Sequence, residues 1–123
     1  MKIKQLLWYD GDTKEADAIV ENDGGEMRVY FDRYTKDADY DKAIFCAFGV
    51  KDIALTDKNQ ALGVHFSSEG SFETSAVAKI KSVENQTVEV YGVTLELDEP
   101  LPGGLLAGDK ICFKALRITC IFR

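Results

Sequence analysis

A single histidine, His65, stands among the 123 residues, so a zinc site built on paired imidazoles cannot form from this chain alone. Cysteine is scarce as well. Cys46, Cys112 and Cys120 are odd in number, lie inside apolar runs and show no C-x-x-C spacing. That pattern argues against a disulfide framework and reads as reduced core thiols of a cytoplasmic protein. No apolar run nears the length that crosses a bilayer, and the short apolar segment broken at Asp10 is too brief for a signal h-region with its cleavage site. The expectation is a soluble chain with no membrane partner. Both prolines fall in one stretch, Pro100-Leu101-Pro102-Gly103-Gly104, which forbids regular structure there.

Basic charge is in deficit: Lys and Arg number 15 against 21 Asp and Glu, a net charge of −6. Nucleic-acid binding draws on counterion release by clustered bases, so nucleic acid is a disfavoured partner. The charges are unevenly spread. Residues 10–41 hold 11 acids and 4 bases, whereas Lys110, Lys114, Arg117 and Arg123 follow Asp109 with no acid among them. Such an asymmetry predicts a bipolar surface with a solvated acidic side.

Motifs that fix a reaction are missing too. The glycines form neither G-x-G-x-x-G nor a phosphate loop with its lysine, and no G-x-S-x-G turn presents a nucleophile. Asp10, Asp12 and Glu21 fit three places of a calcium loop, but Lys14 and Glu15 occupy the places of a further oxygen ligand and the turn glycine. Asp37, Asp39 and Asp41 are followed by Lys42 where that glycine belongs. No metal site or cofactor is expected, although whether the acidic 10–41 region takes a cation stays open. His65 lies near Ser67, Ser68 and Glu69, yet neighbours in one strand point to alternate faces, so it reads as an outward strand residue.

What the chain does contain is alternation with period two. Ala16, Ala18 and Val20 on one side of Asp23-Gly24, and Met27, Val29 and Phe31 on the other, predict a tight hairpin. Residues 3–9 read as a strand before it. Ala43 to Val50 is apolar on every face, so periodicity leaves strand and buried helix both open, with length and an internal glycine favouring strand. Thr56 to Gln60 could cap a short helix. Alternation from Val88 to Leu97 changes phase at Gly92, which reads as a bulge in one coiled strand. The last strand is expected to turn Leu116, Ile118, Cys120 and Phe122 inward. About nine short strands with regular turn signals predict an all-β fold in one domain, residues 1–123: a small antiparallel β-barrel, OB-like with extra strands. Another β-barrel or a β-sandwich is the alternative.

The remaining signal is aromatic. Trp8, Tyr30 and Tyr91 fall on outward phases or turns, and with Arg117 and Arg123 they are the candidate binding surface. The reading is a non-catalytic module that binds an unidentified protein partner, with a homo-oligomer through an edge strand as a further expectation. One alternative is a single-stranded nucleic-acid or small-ligand binder, which needs Lys79, Lys81, Lys114, Arg117 and Arg123 in a stripe. The other is an enzyme with a distributed carboxylate site, for instance Asp10, Asp12 and Asp32.

Overall fold

A computed structural model describes residues 1–122 of the chain. Its eleven strands are β1 (Lys2–Asp10), β2 (Glu15–Asn22), β3 (Gly25–Phe31), β4 (Ile44–Phe48), β5 (Lys51–Leu55), β6 (Gly63–Phe66), β7 (Thr74–Ser82), β8 (Thr87–Val90), β9 (Val93–Leu97), β10 (Lys110–Ala115) and β11 (Arg117–Ile121). All belong to one sheet in the order β1-β2-β3-β11-β4-β9-β8-β7-β10-β5, with β6 paired to β7 beside β8. A single 3₁₀ turn, Tyr40–Lys42, is the one helical element among the described residues. No helix there is long and apolar enough to cross a membrane.

The expected hairpin forms. Asp23 and Gly24 take φ of 48° and 77°, the paired positive values that a two-residue turn needs, and Asn22 faces Gly25 across it. Ala43 to Val50 resolves as a strand, β4, because its alternate residues Phe45 and Ala47 turn into the core. The region from Thr56 to Gln60 forms only a turn, closed by the Gln60 amide donating to the Asp57 carbonyl at 2.9 Å.

Four expectations need correction. The sheet is not wholly antiparallel: β11 runs parallel to β3, and β4 parallel to β9. The phase change at Gly92 is not a bulge but a second tight hairpin. Tyr91 and Gly92 take φ of 55° and 71°, and Val90 faces Val93. Residues opposite one another across such a turn share a face, so the apolar set moves from even to odd positions with no extra residue. Leu116 and Phe122 are exposed, because the chain bends at Leu116 and only Ile118 and Cys120 continue inward. Cys112 sits half-buried on the outer face, out of the core.

The core gathers the inward set of each strand. Val29 and Phe31 of β3 meet Phe45 and Ala47 of β4, Leu95 of β9, Ile80 of β7 and Ile111 of β10, all buried. Burial of such side chains contributes roughly 1.5–3 kcal/mol each. Among the described residues no ladder joins β1 to β5, so the sheet is open; these two strands end its order, and β6, paired there only to β7, leaves a further short edge.

Candidate functional site

The register of the central strands sets one outward row. Trp8 faces Asp17, Asp17 faces Tyr30, Tyr30 faces Thr119, Thr119 faces Cys46, and Cys46 faces Glu96. The chain therefore places an aspartate in the middle of an apolar and aromatic face, where it is 3% exposed. A buried carboxylate needs a partner, and Arg28 of β3 supplies it. Its Nε and Nη2 donate to Asp17 Oδ2 at 2.7 and 2.5 Å. Asp17 Oδ1 has no partner among the described residues, and neither has Thr119 Oγ1 in the same row.

Arg28 also reaches outward. Its Nη1 donates to the carbonyls of Ser67 and Ser71 at 2.6 and 3.0 Å, and its guanidinium carbon lies 4.4 Å from the centre of the Phe72 ring. One buried cation thus fastens the loop between β6 and β7 onto the outside of β3. The loop's Ser71, Phe72 and Glu73 form one wall of a groove of about 540 Å³, and Phe48, Leu116 and Arg117 form the other. Phe72 and Leu116 are 46% and 58% exposed, so the groove is apolar and open. Leu116 is held there by the adjacent backbone: its amide donates to the Phe48 carbonyl at 2.8 Å, and its side chain closes over Gly49.

Two of the expected residues meet at this groove. The Arg117 guanidinium stacks on the Tyr30 ring, 4.6 Å from its centre. Burial, and then a hydrogen bond to Glu15, hold the Tyr30 hydroxyl above the usual phenol range, so it is neutral at physiological pH. Arg117 has no carboxylate partner among the described residues, whereas Glu73 across the groove is paired with Lys51 at 3.5 Å.

The other expected residues lie elsewhere. Trp8 is 51% exposed on β1, two strands from Tyr30. Tyr91, expected at the surface, is instead a structural pin. Its ring covers Gly25, its hydroxyl accepts from the Val64 amide at 3.1 Å, and its carbonyl accepts from Asn22 Nδ2 at 2.7 Å. Arg123 lies outside the described residues. Asp10 serves its own turn, with Oδ1 accepting from the amides of Asp12 and Thr13 at 2.9 and 3.3 Å.

The groove residues Phe48, Phe72 and Leu116 escaped sequence reasoning. Phe48 and Leu116 sat in runs that looked like core, and Phe72 was hidden in a Gly-Ser loop. An aromatic in an otherwise polar loop is the signal that could have found it.

A second depression of about 310 Å³ gathers Asp52, His65, Ser75, Cys112 and Lys114 on the outer face. His65 is exposed as expected and faces Ser75, which faces Lys114. No group of three or more His, Cys, Asp or Glu side chains there could hold a metal ion. Comparison with protein-family models, curated proteins and solved structures finds no match to this chain.

Proposed function

We propose that this chain is a non-catalytic protein-binding module. Its groove between Phe48, Phe72 and Leu116 takes an apolar side chain from an extended partner segment, and Arg117 takes a carboxylate next to that side chain. The observation that carries this reading is an exposed apolar trio beside a guanidinium that has no carboxylate of its own among the described residues. Exposed apolar patches rimmed by polar groups are characteristic of protein contacts. Arginine held on an aromatic ring keeps its fork open for a carboxylate at low entropic cost.

The wrapped form expected from the sequence, an OB-like barrel with extra strands, belongs to the same proposal. Its support is that β3 lies beside β6, with the Arg28 side chain spanning the two to hold the 67–73 loop. Wrapping of this kind gives the groove a rigid floor.

A displayed library of random peptides, selected on the purified protein, tests the reading. The expected result is enrichment of a large apolar residue one to three positions from Asp or Glu. Leu116→Asp should lower the affinity of enriched peptides by at least tenfold, and Arg117→Glu should reverse their charge preference. Enriched peptides that bind both variants as well as wild type would overturn the reading, as would displacement of those peptides by single-stranded DNA.

A further inference from the structure

We propose that a second copy of this chain pairs antiparallel along the open edge of β1, forming a two-fold dimer with Leu6 on the axis. This inference is independent of the groove and rests on the edge strand alone. β1 pairs only with β2 among the described residues, so one full side of a nine-residue strand is unpaired. Unpaired edges are templates for strand addition unless something blocks them. The other edges offer less: β5 has five residues and is bent by Asp52 at φ 57°, and β6 has four residues and lies against β3.

The side chains of β1 fit a copy of themselves. Register shifts at Lys4 and Leu7 leave Ile3, Leu6 and Tyr9 opposite the inward residues Val20, Ala18 and Ala16 of β2. Lys2, Gln5, Trp8 and Asp10 are opposite the outward set Glu21, Ile19, Asp17 and Glu15. Leu6 and Tyr9 remain 41% and 43% exposed even though they are opposite inward residues of β2, because no strand among the described residues pairs beyond β1 to cover them. A second sheet continuing past this edge would cover them.

Two-fold symmetry in an antiparallel pair requires some residue to face its own copy. With Leu6 on the axis, Ile3 faces Tyr9 of the second copy, and Lys2 faces its Asp10. Core-side Ile3, Leu6 and Tyr9 then meet one another, Gln5 and Trp8 face the register-shift residues Leu7 and Lys4, and each end pair joins opposite charges. Lys2 has no ion pair among the described residues, and Asp10 uses only Oδ1 in its turn. An axis on Leu7 would set core-side Leu6 against outward Trp8. An axis on Gln5 would leave Asp10 with no strand residue opposite.

Sedimentation velocity of the full chain over a concentration series reads the result directly. The wild type should pass from one to two chain masses as concentration rises, and Leu6→Lys should weaken association at least tenfold. Lys2→Asp alone and Asp10→Lys alone should each be monomeric, because like charges then face one another, while an equimolar mixture should dimerise through two restored pairs. Asp10→Lys also removes a turn cap, so a second readout stands apart from it. Leu6→Cys in a Cys112→Ser background should give a covalent dimer on mild oxidation, and Gln5→Cys should not. A chain that stays monomeric at millimolar concentration, a dimer unchanged by Leu6→Lys, or equal crosslinking at Leu6→Cys and Gln5→Cys would overturn the proposal.

Discussion

Replacing Arg28 by methionine tests the logic that holds the groove together. Arg28 is 8% exposed and gives two donors to Asp17 Oδ2 and one nitrogen to the carbonyls of Ser67 and Ser71. Methionine fills much of the same volume but leaves Asp17 as a buried carboxylate whose second oxygen already lacks a partner. Losing one half of a buried ion pair costs about 3–5 kcal/mol, a large share of the roughly 5–15 kcal/mol that stabilises a domain. Asp17→Leu alone should cost a similar amount, since it strands a buried guanidinium. In the double variant no buried charge remains, and the two carbonyls face a loop that water can reach, so the total should be only about 1–3 kcal/mol. Urea unfolding followed by circular dichroism gives all three values, and hydrogen exchange of the 67–73 amides should speed up wherever Arg28 is absent. Single-variant costs below about 1 kcal/mol, or costs that simply add in the double variant, would refute the account of Arg28 as a paired and load-carrying cation.

Three further outcomes are expected. Gly24→Val should lose about 1 kcal/mol or more in thermal or urea unfolding, because Gly24 holds φ of 77°, and no loss would mean the turn is not formed in solution. Gly25→Ala should be worse, about 3 kcal/mol, since a Cβ there would come within 2.1 Å of the Tyr91 ring, while Tyr91→Phe should cost about 1–3 kcal/mol by leaving the Val64 amide without its acceptor. Burial, and then the nearby Cys46, push the Cys120 thiol up from 9.0 to about 12. The unfolded chain therefore releases this proton first, and stability should fall as pH rises from about 9 towards 12. Cys120→Val should flatten that part of the pH profile, and an unchanged slope would count against a buried thiol.

The features legible in the sequence were those that depend on neighbours along the chain. Asp23-Gly24 announced its turn because positive φ is a local demand, and Ala16, Ala18 and Val20 announced their inward face because alternation is local too. At Gly92 the same kind of local signal misled, since a bulge and a two-residue hairpin both move an apolar set by one position. Only the pairing of Val90 with Val93 distinguishes them. Strand order was out of reach: nothing near Thr119 in the sequence says that it will lie between Tyr30 and Cys46. For the same reason the groove was half seen. Tyr30 and Arg117 were singled out separately by residue type, but their stacking needed β11 to be placed beside β3. Asp17 and Arg28 looked like any solvated charges on an outward phase, and only the loop that covers them makes them a buried pair.

The position of β11 has a consequence for how the protein is made. It lies between β3 and β4, parallel to the first and antiparallel to the second, yet it is the last of the eleven strands to be synthesised. A nascent chain that has reached Ala115 therefore presents two open seams at once, one along β3 and one along β4, each with its inner apolar face unmatched. The central sheet closes only when Tyr30 and Thr119 meet from distant parts of the chain, which makes its folding slow. Chains cut short within β11 should collect in chaperone-bound and aggregated fractions, while the hairpin of β2 and β3, synthesised well before β11, can already have formed on the ribosome.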